Sequence, residues 1–494
     1  MAETAKRYNS ILDIIDKRLI PDVEAKGKRG EVFTPLNLVR EMLFGIKKSS
    51  VKEFKNKVPD AKSEEYLKFV WGLDDKGEFI EEDEKDKVGG IPLSIWRDPD
   101  TKWLDPANGI GNFPVVAFYM LDYQLGKHGP KEFKGDDNKI KRRRHIVKNM
   151  LYMIELNKGN VNTSRKIFEK IVPGVTPNIL CANTIEMTDD KLKKEFGVNK
   201  FDVVMGNPPY NAGGTGTSGE KRIWTKFIQF GFNLLNNKGC LIFVHPPNFH
   251  RINDDNPKKG IIVKQLFNEN NLLFIRIIDN TKIYFDVQIG IDYYILQKCS
   301  NKKEAVILDK HNIISDNIDI SIFNTVPNFG FNIIKKLRSL RIKHGEFKAQ
   351  VGTDSTSHAA RHDLYKNGTF PIIHLINNDG MRILMAINPH KYQSIPKILI
   401  NGLGVPYVFD DSSGKYGVSE APLYILEPSK KEKIFLFSKL FQYLIWAYRL
   451  IGNHNSILLF DIMPDLNKLE YNDEEGMLKK LGVNSDDELE INKY

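Results

Sequence analysis

Four consecutive residues, Asn207-Pro208-Pro209-Tyr210, close a short and mostly apolar run, Phe201-Asp202-Val203-Val204-Met205-Gly206. Two adjacent prolines fix φ, remove two backbone donors and push Asn207 out of helical geometry, so the loop stays extended and its carbonyls have few local partners. The Asn207 side-chain oxygen and the Pro208 carbonyl can together accept both hydrogens of one exocyclic amine, and the Tyr210 ring offers a flat face to a planar base. The chemistry that fits is the holding of an amino group on a nucleobase. The plainer alternative is a proline-rich turn ending in a surface tyrosine.

A second group lies upstream. Trp103-Leu104-Asp105-Pro106-Ala107-Asn108-Gly109-Ile110-Gly111-Asn112-Phe113 reads as a strand, a glycine-punctuated turn and the start of an apolar helix. Its glycines let a backbone approach a ligand, and Asp105 can bond a polar cationic group. No third glycine completes a dinucleotide fingerprint. Glu155 ends a predicted strand, Met150 to Ile154, where a carboxylate suits the hydroxyls of a ribose. Asn183 follows another predicted strand, Asn178 to Cys181. Further upstream, Thr34 and Pro35 make a good helix start after Phe33, because Thr caps free N–H groups and Pro fits the first turn. Cys181, Cys240 and Cys299 are far apart and form no cluster of metal-ligand spacing, so we expect free thiols and no metal.

These residues must be positioned by the elements around them. Between about residues 100 and 300 strands alternate with helices: strand five at Cys240 to Val244, strand six at Leu272 to Ile278, and a last hairpin with the alternating run Ile289 to Leu296. That order predicts an α/β domain whose mostly parallel sheet is covered on both faces. Beyond residue 305, short strand-like runs (Phe370 to Ile376, Lys397 to Ile400, Tyr407 to Phe409, Leu423 to Leu426) and helical patterns at Asn332 to Leu340 and Glu432 to Leu450 predict a separate α+β domain. The expected division is therefore 1–305 and 306–494. Residues 1–20 predict an amphipathic helix, 47–100 an insertion or a peripheral helical segment with a boundary at Gly89-Gly90-Ile91-Pro92, 211–219 a loop that orders over a substrate, and the acidic last twenty residues a loosely held tail. The run Lys139 to His145 reads as a solvated loop or a phosphate-contacting patch.

Lys plus Arg exceed Asp plus Glu by 72 to 63, a formal charge of +9 that favours a polyanionic partner, and 41% of residues are hydrophobic, enough for real cores. With no leader-like start and no apolar run of membrane-spanning length, a cytoplasmic, nucleoid-associated protein with no membrane partner is expected.

Taken together, Phe33-Thr34-Pro35, the Asp105–Phe113 corner and Asn207-Pro208-Pro209-Tyr210, in that order, resemble the gamma-type N6-adenine DNA methyltransferases over roughly residues 27 to 300. The resemblance implies a Rossmann-like, seven-stranded S-adenosylmethionine-dependent methyltransferase sheet followed by a C-terminal α+β target-recognition domain. It implies that Phe33, Thr34 and Pro35 pack near S-adenosylmethionine, and that Asp105, Pro106, Ala107, Gly109, Gly111 and Phe113 form the methionine-binding corner. Asn108 and Ile110 stand where the family commonly has Cys and Ser. It also makes Glu155 the ribose-binding acid, puts Asn183 in place of the acid that contacts the cofactor's adenine, and makes Phe285 similar to the aromatic residue that sandwiches the extruded base. The implied activity is methyl transfer to the N6 amine of a flipped-out adenine in double-stranded DNA, alone or beside a companion restriction endonuclease. The absence of a Pro-Cys dipeptide agrees with direct transfer to nitrogen. In the C-terminal domain Lys397, Gly402-Leu403-Gly404, Lys415 and Tyr416 are candidate DNA-facing groups. Only about thirty residues precede Phe33, so no nuclease domain is expected there. Two other readings stay open. RNA-adenine and protein-glutamine methyltransferases carry similar loops but usually lack the early motif and so large a C-terminal domain. A non-catalytic DNA-binding specificity subunit would accommodate Asn108, Ile110 and Asn183.

Overall fold

The computed structural model describes residues 33–49, 51, 83–210, 223–247, 266–278, 284, 291–300, 304–323, 325–353, 368–377, 380–402, 404–419, 422–449 and 455–493. The first twenty residues, the 211–219 loop and Phe285 lie outside them. The chain divides into two compact units, with the boundary along the chain between Ile322 and Phe323.

The first unit begins with α1 (Leu36–Phe44), a ribbon of β1 (Ile46–Lys47) and β2 (Lys87–Val88), and the short α2 (Leu93–Trp96). There follow β3 (Trp103–Asp105), α3 (Asn112–His128), α4 (Lys139–His145), β4 (Leu151–Glu155), α5 (Lys158–Ile171), β5 (Asn178–Cys181), α6 (Asp189–Phe196), β6 (Phe201–Gly206), α7 (Trp224–Leu234) and β7 (Leu235–His245). The unit closes with β8 (Asn271–Ile278), β9 (Ile291–Gln297), β10 (Ala305–Leu308) and β11 (Ile314–Ile318). One sheet takes nine strands in the order β11-β10-β8-β9-β7-β6-β3-β4-β5. From β5 to β7 it is parallel, and β9 runs antiparallel to both of its neighbours. The apolar runs of β3, β4 and β6 are buried on both faces, as expected for central parallel strands covered by helices.

Two expectations are corrected here. The sheet has nine strands rather than seven, and it continues past residue 305 because Val306, Ile307 and Leu308 pair with Phe274, Ile275 and Arg276. Asp309 folds the chain back into β11 by accepting the N–H groups of His311 (2.8 Å) and Ile313 (2.9 Å).

Residues 83–100 are not peripheral. Trp96 is fully buried, with its ring centroid 4.6 Å from that of Phe44 and 4.4 Å from that of Trp103. The two glycines expected to mark a boundary serve close packing instead: at Gly90, where φ is +83°, a Cβ would lie 2.5 Å from the Phe44 backbone. The basic run is a helix, α4, not a loop. Two of its arginines are spent on Asp122, with Arg142 Nε and Arg143 Nε each 2.6 Å from that carboxylate. Nor does Thr34 cap α1, whose N-cap is Pro35 with no side-chain bond.

Helix α1 is held by a buried polar cluster. Glu41 accepts from the hydroxyls of Tyr284 and Tyr293 (3.1 Å for the latter) and lies 3.5 Å from Arg276 Nε. Burial, and then the Glu41 charge, push both tyrosines well above their usual range.

The second unit combines β12 (Gln350–Thr353), β13 (Phe370–Asn377), β14 (Gly380–Ala386), β15 (Lys397–Ile400), β16 (Val408–Asp411), β17 (Gly417–Val418) and β18 (Leu423–Leu426). They form two sheets, β12-β18-β15-β16 and β14-β13-β17. Helices α8 (Phe331–His344), α9 (Lys430–Leu436), α10 (Lys439–Ala447), α11 (Glu474–Lys480) and α12 (Ser485–Ile491) complete it. The single helix expected over 432–450 is broken at Phe437, because Ser438 caps a new helix by accepting the Phe441 N–H. The acidic tail is docked rather than loose: Met477, Leu481 and Ile491 are buried, and Asn484 and Asp487 form a capping box at α12. Among the described residues no helix is long and apolar enough to cross a membrane.

Lys397 does not face outward. It is 1% exposed, its ammonium lies 2.9 Å from Asp411, and it donates to the carbonyls of Tyr392 (3.0 Å) and Ile395 (2.8 Å). Tyr416 is half-buried and packs against a small core, whereas Lys415 is exposed with its ammonium 5.1 Å over the Tyr416 ring. Lys397→Met would leave the buried Asp411 carboxylate without its cation, and we expect a loss of about 3–5 kcal/mol in chemical denaturation followed by circular dichroism. A loss below about 1 kcal/mol would show that the backbone N–H groups of Lys415 (2.9 Å) and Tyr416 (3.0 Å), which also donate to Asp411, suffice for it.

Candidate active site

The strand order reverses between β3 and β6. Trp103 pairs with Val203 and Leu104 with Val204 in parallel register, so the chain leaves both strands at the same edge of the sheet. Crevices of this kind, outside the carboxyl ends of parallel strands, are where open α/β sheets take ligands. Here the loops after β3, β4, β5 and β6 line one cleft open to solvent.

Twelve residues given a role from the sequence line that cleft: Phe33, Thr34, Pro106, Ala107, Gly109, Phe113, Glu155, Asn183, Asn207, Pro208, Pro209 and Tyr210. Pro35, Asp105 and Gly111 stand behind the lining instead. Pro35 starts α1, and Gly111, at φ +100°, starts α3. A Cβ on Gly111 would sit 2.9 Å from Ser164 Oγ, so only glycine lets α3 and α5 approach this closely.

Asp105 is fully buried. One carboxylate oxygen accepts the Ala107 N–H at 3.0 Å, and the other meets no partner in the protein. Burial pushes its carboxyl well above the usual range, the Ala107 bond opposes that rise, and the charge of Glu155 adds to it. Glu155 is fixed by two backbone donors: the Gly109 N–H at 2.8 Å and the Asn157 N–H at 2.7 Å. The glycine corner and the carboxylate at the end of β4 are thus one unit. Asn183 caps a short turn, its oxygen accepting from Ile185 N (3.2 Å) and its nitrogen donating to Glu186 (2.7 Å), so its side chain is largely committed to local structure.

In the loop after β6, Pro208 is buried, while Asn207, Pro209 and Tyr210 are half-buried. The Tyr210 carbonyl accepts from Ile223 N at 3.2 Å, just ahead of α7, and burial pushes its phenol above the normal range. Phe33 covers the glycine corner from the side: a Cβ on Gly109 would come 3.1 Å from its ring.

Sequence reasoning missed several lining residues. Asn112 donates its amide to the Thr34 carbonyl at 2.7 Å and so joins the upstream segment to the corner. Leu156, 61% exposed, lines the cleft beside the Glu155 position, as do Ile185, Asn157 and Asn160. The available signals were an apolar residue directly after a strand-ending acid and a recurrence of asparagine at both helix starts.

The model of the Eco57I restriction-modification methylase family matches residues 138–285, a stretch that includes Glu155, Asn183 and the Asn207–Tyr210 loop. The chain is similar to an uncharacterized adenine-specific methylase of Mycoplasma pneumoniae, at 26% identity over 205 residues, 28% of this chain and 47% of that protein. Among solved structures it resembles the type IIL restriction-modification enzyme MmeI in complex with DNA, with a TM-score of 0.49 and 12% identity over 96% of this chain and 76% of that one. It also resembles the methyltransferase subunit of a type I restriction-modification system from Streptococcus thermophilus, with a TM-score of 0.31 and 18% identity over 43% of each chain. The match spans less than half the length of the curated relative.

Because the folded protein disfavours ionised Asp105, its contribution to stability is most favourable in acid and falls as pH rises from about 4, the ordinary carboxyl value, through the raised value. Asp105→Asn keeps the bond to Ala107 and removes the charge. It should raise the unfolding midpoint at pH 8, with the gain vanishing near pH 4, in thermal melts recorded across that range. A gain independent of pH would mean that the charge is not the cause.

Proposed function

We propose that the cleft binds S-adenosylmethionine and that the chain methylates the N6 amine of adenine in DNA. The observation that carries this reading is the convergence of the glycine corner, Glu155 and the Asn-Pro-Pro-Tyr loop on one cleft.

The donor set fits the ligand. The corner presents oxygens of Asn108 and Asn112 that meet no protein donor, with Asp105 buried behind them, and no Lys, Arg or His lines the described cleft, so it favours a cationic end. Glu155 suits the ribose hydroxyls, while Leu156 and Ile185 offer apolar surface to the purine ring. When bound, S-adenosylmethionine supplies an electrophilic methyl group on a positively charged sulfur.

The chain's own residues then act on the base. An adenine within a duplex cannot reach this recess, so it must be extruded, and the Tyr210 ring gives it a face to stack on. The adenine amine is a poor nucleophile because its lone pair is delocalised into the ring. Hydrogen bonds to the Asn207 side-chain oxygen and the Pro208 carbonyl favour the pyramidal nitrogen that gains positive charge as it attacks. The amine's proton is lost afterwards, and no covalent link to the protein is needed. Adenine in DNA, rather than RNA or a protein glutamine, is favoured by the names that the matching family model and the curated relative carry. On this reading the second unit selects the DNA sequence, a companion endonuclease completes a restriction-modification pair, and the protein works in the cytoplasm, at the nucleoid.

Asn207→Ala should lower labelled-methyl incorporation into DNA by about 100-fold or more while S-adenosylmethionine binding persists; normal turnover would overturn the assignment. Ending the chain after Ile322 should leave cofactor binding intact and abolish sequence preference, checked by mapping modified bases in treated DNA. An unchanged site preference would remove the second unit from that role.

A further inference from the structure

Asn112, the first residue of α3, is 4% exposed and spends only half of its amide within the protein. Its nitrogen donates to the carbonyl of Thr34, 78 residues upstream, at 2.7 Å. That bond fixes the orientation of the amide, because the reversed one would set two oxygens against each other. The side-chain oxygen is left buried in the cleft wall without a donor. Asn108 repeats the arrangement: its nitrogen donates to Gly109 O (3.1 Å) and Ser164 Oγ (3.3 Å), and its oxygen has no partner. Two acceptors thus stand at one end of a cleft whose described lining has no basic side chain, with the buried Asp105 carboxyl behind them. Leaving such groups unsatisfied is costly, and a primary ammonium carries three donors that would satisfy them.

We propose that Asn112 is a ligand-binding residue whose side-chain oxygen accepts a hydrogen bond from the ammonium at the amino-acid end of the ligand. The same amide holds the Thr34 segment against the corner, so ligand contact and closure of this wall pass through one planar group and strengthen each other. The inference rests on the reading of the cleft as an S-adenosylmethionine site and adds a contact to it.

The test compares two probes on the full-length protein by isothermal titration: S-adenosylhomocysteine, which carries the ammonium, and 5′-methylthioadenosine, which lacks the whole amino-acid end. Asn112→Leu should weaken S-adenosylhomocysteine by about 10- to 100-fold, the range of a hydrogen bond to a charged group, and methylthioadenosine by less than about 3-fold. Asn112→Ser, which sets no apolar surface against the Thr34 carbonyl, gives the same comparison should the leucine variant fail to fold. Equal losses for both probes would make Asn112 a brace alone, and no loss for either would remove it from the site. Both results would overturn the proposal. If the unmodified protein bound neither probe, the reading of the cleft itself would fall.

Discussion

The parallel pairing of β3 with β6 is the constraint on which the site depends. Both strands are short, and the register of Trp103 with Val203 and Leu104 with Val204 sends the glycine corner and the Asn-Pro-Pro-Tyr loop out at one edge of the sheet. An antiparallel pair would have sent them out at opposite edges. The approach is tighter than strand spacing alone requires: a Cβ on Gly206 would lie 2.9 Å from a carboxylate oxygen of Asp105. The last residue of β6 must therefore lack a side chain for the buried acid to stand beside the proline turn. The fully buried Val203, Val204, Trp103 and Leu104 hold this junction in a dry interior, where its hydrogen bonds cannot exchange readily with water.

The remaining wall comes from far upstream in sequence and is held by polar contacts. Phe33 lies over Gly109, the Thr34 carbonyl is tied to Asn112, and α1 is anchored through Glu41 to Tyr284, Tyr293 and Arg276. Arg276 also donates to the Asp309 carbonyl (3.0 Å) and to Asn312 (2.6 Å), so the turn of the added β10–β11 hairpin braces the same cluster. The two strands beyond the expected seven thus share the support of the helix that carries part of the site. A charged cluster this deeply buried stabilises only when each partner is in place, which ties the position of α1 to the far edge of the sheet.

What was legible in the sequence follows the range of the forces involved. Lys397 to Ile400 and Leu423 to Leu426 were found at their observed bounds, and the strands ending at Glu155, Cys181 and Gly206 at or within a residue of theirs, because apolar runs and proline or glycine turns are local signals. The loops holding Asn207 and Gly109 stood out for the same reason. Features decided by distant partners did not. Thr34 looked like a cap, but its role is a backbone bond to a residue 78 positions away. Lys397 looked like a surface cation, yet the partner that buries it, Asp411, lies on the neighbouring strand. The acidic tail looked unstructured because its few apolar residues, Met477, Leu481 and Ile491, are all used in one docking surface. The β10–β11 hairpin was read as the start of a new domain because its turn, Asp309 to Asn312, is polar whereas its partner strand is remote in sequence.

The two departures in the glycine corner bear on whether this chain still works as a catalyst. Ile110 is 1% exposed, belongs to the core and also lines the cleft, so it supports the loop from within and gives the corner an apolar contact in place of a polar one. Asn108 is tied to Ser164 and to the Gly109 carbonyl, which closes the turn and aims an oxygen at the corner. A scaffold that no longer bound a small molecule would gain stability by filling this recess with apolar side chains, since each buried acceptor without a donor works against folding. Asn108 and Asn112 in the lining, and Asp105 behind it, instead retain such acceptors. That arrangement costs stability in the empty protein, and the proposed ligand would recover it by bringing donors. The net charge of +9 has no part in this corner, whose described lining holds one carboxylate and no basic group.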